Sequence, residues 1–204
     1  MHSGKWGKLN GPEVAEFENR FATMHGCKHG IGVVNGTVSL RIALMAAGIR
    51  AEDEVIVPTY TFFSTASAVV EANAVPVFVD IDLGTFNLDP QAVAAAITPR
   101  TRAIIPVHFA GQPADMRAIM ALARKHKLVV IEDAAHAHGA SYRNQPAGSI
   151  GHMASFSFQS SKNLTSGEGG LLTMNDDKLA GACRSIHNCG RIPTGIWYEH
   201  HVIS

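Results

Sequence analysis

The chain has 204 residues, of which 46% are apolar and 17% charged, with 17 basic and 17 acidic side chains and no formal net charge. Such a composition is that of a folded globular chain and excludes a disordered one. The length suffices for one good-sized domain, and balanced charge with no run of one sign argues against nucleic acid or an anionic membrane as partner and for small molecules and other proteins.

In chain order, a first amphipathic helix is predicted after Asn10 and Gly11, with Pro12 in its first turn, Val14, Phe17 and Phe21 on one stripe and Gly26 near its end. A short apolar strand over 29–34 follows, broken by Asn35-Gly36, then a helix over 37–47 stopped by Gly48. The alternation repeats: strands over 54–57, 75–80, 102–107 and 128–132 are separated by helices over 64–73, 90–97 and 114–126. After Asp133 the rhythm changes to strands over 154–158 and 170–174, with a Ser/Thr/Gly-rich loop between them, and a helix over 176–187. The strands are continuous apolar runs, the mark of a sheet covered on both faces. Strands alternating with helices imply right-handed crossovers and an α/β, three-layer, mostly parallel sheet with helices on both faces. The segment 190–204 shows neither a helix stop nor a closing strand.

The longest apolar runs, such as Val55 to Pro58, are strand-length and too short to span a bilayer. Cys27, Cys183 and Cys189 cannot all pair, and their spacing matches no disulfide or zinc framework. Together with an N-terminus that has no apolar stretch, this predicts a cytoplasmic protein.

In an open parallel sheet, ligands sit beyond the carboxyl ends of the strands. There the chain places Asn35-Gly36-Thr37, residues 59–63, His108, Asp133 with His136, and the segment 157–170. Asn35-Gly36-Thr37 opens a helix, so it is either a ready anion site or an ordinary capped turn. No dinucleotide or nucleotide-triphosphate glycine motif accompanies it. Asp133, desolvated at a strand mouth, either meets a cation such as a protonated pyridine nitrogen or pins a loop. Lys162 follows an apolar strand amid Ser, Thr and Gly; it is either an amine tuned for attack on a carbonyl or a solvated loop lysine. Asp133, His136 and His138 do not share one helical face, which disfavours a metal.

Five strings, NGTVSLRIAL, DEVIVPTYTFFSTASAVVEANAVPVFVDID, PVHFAGQPADM, VVIEDAAHAHGA and ASFSFQSSKNLTSGEGG, occur in the order and spacing of one family. Between about residues 3 and 191 the chain resembles the sugar and aminocyclitol aminotransferases (DegT/DnrJ/StrS type) among the fold type I enzymes dependent on pyridoxal 5'-phosphate (PLP). The resemblance implies the large PLP-binding domain of the aspartate aminotransferase fold over residues 1–204, incomplete at its C-terminal end, with the small C-terminal domain absent. It also implies that Lys162 carries the cofactor as a Schiff base and moves the proton. Asp133 then holds the pyridine nitrogen protonated, and Phe62 stacks on the ring. Gly36, Thr37 and Val38 form the helix-start phosphate site, to which Ser157 adds a hydroxyl, and His136 lies near the ring 3-hydroxyl. Trp6 is a candidate for the acceptor pocket or, equally, a core or interface tryptophan. The implied reaction moves an amino group from L-glutamate or L-glutamine to a nucleotide-linked keto-sugar or a keto-cyclitol, in a homodimer. Dehydratase relatives carry His at the lysine position, so Lys162 favours aminotransfer. The alternatives are an aminohydroxybenzoate synthase-like PLP enzyme and a truncated, non-catalytic PLP-fold module.

Overall fold

The structure, a computed structural model, describes residues 12–191. Trp6 and most of the segment 190–204 lie outside the described residues. The elements run α1 (Glu13–Met24), β1 (His29–Val33), α2 (Gly36–Ala46), β2 (Glu54–Pro58), α3 (Ser64–Glu71), β3 (Val75–Val79), α4 (Pro90–Ala96) and β4 (Thr101–Ile104). After a short 3-10 turn at Phe109–Gly111 come α5 (Met116–His126), β5 (Val129–Asp133), β6 (Ser141–Tyr142), β7 (Gln145–Pro146), β8 (Met153–Ser157), β9 (Gly170–Met174) and α6 (Asp177–His187). Helix starts follow side-chain chemistry: Asn35, Asp89, Asp115 and Asp176 each accept a main-chain N–H of the first turn.

Seven strands form one sheet in the order β1-β9-β8-β5-β4-β2-β3. From β8 to β3 all neighbours are parallel, whereas β9 runs antiparallel to both β8 and β1. Period-two alternation sorts the core into layers. Val55 and Val57 of β2 join the cluster under α2, α3 and α6, while Ile56 between them joins the cluster under α4 and α5. On β8, Met153 faces the first cluster, and Ala154 and Phe156 pack with Phe21 of α1. This is the three-layer, mostly parallel arrangement that the strand-helix alternation implies.

Three local expectations change. Covering on both faces fails at the edge strand β3, where Val75 and Phe78 are 46% and 57% exposed. The strand expected over 102–107 ends at Ile104, because Pro106 brings no N–H to the ladder. Pairing resumes beyond it as a single bridge between Val107 and Asp133. The β6–β7 hairpin was not foreseen; its turn residues Arg143 and Asn144 both take positive φ, 51° and 66°, without the Asn-Gly or Asp-Gly pair that signals such a turn.

Candidate active site

A cavity of about 670 Å³ opens beyond the carboxyl ends of β2, β5 and β8. Its wall includes Gly36, Thr37, Phe62, Asp133, His136, Ser157 and Lys162, so segments far apart in the chain converge there. Val38 is not part of that wall; its N–H is taken by the Asn35 side chain at 2.9 Å, and its side chain packs on the core.

The floor is the first turn of α2. With Val38 capped, the amides of Gly36 and Thr37 have no acceptor among the described residues. The Gly36 carbonyl accepts from the hydroxyls of Ser39 (2.7 Å) and Ser155 (3.1 Å), which fixes the peptide that carries the Thr37 N–H. Two free amides at the positive end of an 11-residue helix, beside the hydroxyl of Ser157, form a donor set suited to a phosphate, while the Thr37 hydroxyl donates to Ser64 Oγ at 2.8 Å. Close packing of backbone makes the turn possible. A Cβ on Gly170 would lie 2.4 Å from the Asn35 carbonyl carbon and oxygen, and one on Gly36 would lie 3.0 Å from Ser157 Cβ.

Asp133 is the last residue of β5 and is 7% exposed. Its Oδ1 accepts the Ala135 N–H at 3.2 Å and its Oδ2 accepts the Thr65 hydroxyl at 2.9 Å. Lys162, on the loop between β8 and β9, is half-buried; burial lowers its pKa below the ordinary lysine value, and the charge of Asp133 opposes that shift. The loop is stiffened by its own side chains. Gln159 Oε1 accepts the N–H (2.8 Å) and hydroxyl (2.6 Å) of Ser161, and the Phe158 carbonyl accepts from Thr165 Oγ1 (3.0 Å) and Ser166 N–H (2.9 Å). His136 has its pKa lowered by burial and by Lys162, against an opposing pull from Asp133. Phe62, 65% exposed, presents its ring at the wall beside Phe63. Phe109 and Tyr60, with ring centroids 4.8 Å apart, complete the rim.

His108, expected at the strand mouths, instead turns inward and is fully buried. Its Nδ1 accepts the Ala114 N–H at 3.2 Å, which puts the ring proton on Nε2, where it is donated to Glu132 Oε2 at 2.8 Å. Sequence reasoning also missed Thr65, and it named Thr61 only as part of the segment 59–63, with no role. Their only signal is hydroxyls four apart where α3 begins, which reads as an ordinary helix start. Cys27 and Cys183 are buried, and burial pushes their thiols up to about 11 and about 12, so both belong to the core.

One cavity thus gathers an amine, a buried carboxylate, an anion cradle at a helix start and an aromatic ring, groups suited to a phosphorylated, carbonyl-bearing cation. That donor set fits PLP. Family comparison agrees: residues 1–203 match the DegT/DnrJ/EryC1/StrS aminotransferase family, and the chain belongs to it. It is 51% identical over 197 residues to a "Putative L-glutamine:3-amino-2,3-dideoxy-scyllo-inosose aminotransferase" of Streptoalloteichus tenebrarius, covering 96% of this chain and 47% of the relative. The crystal structure of 3-amino-5-hydroxybenzoic acid synthase superposes with a TM-score of 0.94 at 43% identity, over 98% of this chain and 52% of that one. Bacillus subtilis NtdA "with bound cofactor pmp" superposes at 0.88 with 33% identity, over 94% of this chain and 43% of that one. The chain thus spans about half the length of the curated relatives it matches.

Proposed function

We propose that residues 1–204 form the larger, cofactor-binding domain of a PLP-dependent aminotransferase that moves an amino group from L-glutamate or L-glutamine to a keto-sugar or keto-cyclitol. The observation that carries this reading is the meeting of Lys162, Asp133 and the free α2 amides in one cavity. The name of the Streptoalloteichus relative supports a glutamine donor and a cyclitol acceptor. A homodimer in the cytoplasm completes the reading.

When bound, PLP supplies an aldehyde that condenses with amines and a ring that withdraws electrons from the carbon next to the condensed nitrogen. The protein's residues do the rest. The Gly36 and Thr37 amides and the Ser157 hydroxyl would hold the phosphate. Asp133 would meet the positive end of the ring, and Phe62 on the cavity wall would pack against it. Partial burial leaves more of Lys162 as the neutral amine, the form that attacks a carbonyl and can accept a proton at Nζ. With the cofactor bound, Lys162 Nζ would accept the proton from the amino donor's α-carbon and later give it back, as a general base turned acid. His136, kept neutral by burial, stays beside Asp133 without adding a second cation.

The test uses the full-length protein with added PLP: visible absorbance, then borohydride reduction and peptide mass to locate the label. The expected result is a visible band, bleached by L-glutamine or L-glutamate, and a label on Lys162 that Lys162→Ala abolishes. A folded protein with no band, or a label elsewhere, overturns the proposal. The likeness to 3-amino-5-hydroxybenzoic acid synthase favours a second reading, a related PLP enzyme with an aminohydroxybenzoate product. Failure of keto-sugars and keto-cyclitols to restore the bleached band selects it.

A further inference from the structure

Asp133 is held at Oδ1 by its own strand end and at Oδ2 by a pair of threonines. Thr65 is fully buried and its hydroxyl lies 2.9 Å from Asp133 Oδ2; Thr61 Oγ1 lies 2.8 Å from Thr65 Oγ1. A hydroxyl has one proton, and that of Thr65 goes to the carboxylate. Thr65 therefore accepts from Thr61, and the direction of the chain is settled: Thr61 O–H to Thr65 O to Asp133. The chain crosses from the loop after β2 to the end of β5. It also ties the carboxylate to the residue preceding Phe62, the ring on the cavity wall.

We infer that Thr65 is a positioning residue for the cofactor: its buried hydroxyl, oriented by Thr61, fixes the Asp133 carboxylate for the ring nitrogen. This rests on the PLP reading above. A carboxylate with one anchored oxygen turns about its side-chain torsions; one anchored at both oxygens by separate elements presents its remaining lone pairs in a set direction. Hydrogen bonds to charged groups are the stronger ones, because a desolvated charge has no water to replace a lost donor. The effect of removing the Thr65 hydroxyl should therefore appear only in ligands that use Asp133.

The experiment titrates the full-length protein, wild type and Thr65→Val, Thr65→Ser and Thr61→Val, with PLP and with its carbocyclic analogue, in which C–H replaces the ring nitrogen. The expected result is that Thr65→Val weakens PLP about tenfold or more while binding the analogue within about twofold of wild type. Thr65→Ser restores PLP binding, and Thr61→Val shows a smaller loss with the same selectivity. Equal losses for both ligands mean a purely structural role and overturn the inference, as does no loss for either. If Thr65→Val does not fold, Thr61→Val decides by the same criterion. Wild-type protein that binds neither ligand overturns the PLP reading itself, and a PLP-binding wild type with unselective variants overturns the inference alone.

Discussion

Glu132 is fully buried, and its carboxylate collects four N–H donors: His108 Nε2 and Gly148 N on Oε2, both at 2.8 Å, and Ile150 N (2.8 Å) and Gly151 N (2.6 Å) on Oε1. Replacing it with glutamine keeps the shape and exchanges one oxygen for NH₂. If the amide oxygen stays on Gly151 and Ile150, the NH₂ confronts the Gly148 and His108 donors. His108 cannot relieve this by moving its proton, since Nδ1 then faces the Ala114 N–H. Turning the amide round strands Ile150 and Gly151 instead. Either way two donors, buried or partly buried, lose their acceptor, at about 1–3 kcal/mol each. Glu132→Gln should thus cost roughly 2–6 kcal/mol of a total of about 5–15. Urea unfolding of the full-length protein, followed by far-UV circular dichroism, measures it. The pH dependence gives an independent check. Burial alone would raise the Glu132 pKa, but the His108, Gly151 and Gly148 donors outweigh it and hold the value below the ordinary carboxylate range. A group depressed in the folded state contributes stability above its unfolded pKa and loses it as the pH falls toward the folded one. The gap between wild type and variant should be constant near neutrality and narrow below about pH 4.3. A loss under about 1 kcal/mol at pH 7, or a gap indifferent to acid, would refute the reasoning.

Three further outcomes are expected. Asn35→Ala removes the α2 cap and should cost about 1 kcal/mol in urea unfolding, with weaker PLP binding because the turn that presents the Gly36 and Thr37 amides loosens. Gly170→Ala places a methyl 2.4 Å from the Asn35 carbonyl and should cost about 1–3 kcal/mol, with PLP affinity falling more than stability, as a binding titration beside the melt will show. His25 is fully buried, with Nδ1 2.6 Å from the Ala147 carbonyl and its ring stacked on Phe21, and burial lowers its pKa. The unfolded chain therefore binds the proton first as the pH falls below about 6.5. Stability should drop by up to about 1.4 kcal/mol per pH unit on its account. His25→Phe should show a shallower slope between pH 7 and 5.5.

Much of the fold is legible along the chain because its signals are local. Apolar runs mark β2, β5 and β8, whereas the capping carboxylates Asp115 and Asp176, expected inside their helices, stand just before them. What escapes is set by distant partners. That β9 runs antiparallel between β8 and β1 depends on a loop route that periodicity does not encode. The exposure of Phe78 follows from an edge position that its apolar run cannot reveal. At the site, Lys162, Asp133, Gly36, Thr37, Phe62, His136 and Ser157 stand out by motif and do share one cavity. Thr65, in α3, does not stand out, because its partner lies 68 positions away at the end of β5.

The adjacent pair Glu132-Asp133 shows why reading residue types has a limit. Both are carboxylates at the end of the same strand, and the pleat sends them to opposite faces. Asp133 opens to the cavity, with two donors and lone pairs left over for a ligand. Glu132 points into the protein, where four donors consume it. Those donors come from the turn at 148–151 and from His108, the residue just before Phe109 of the cavity rim. The inner carboxylate thus holds the frame on which the outer one is aimed, and a ligand at Asp133 meets a strand end that cannot shift without breaking the buried network behind it.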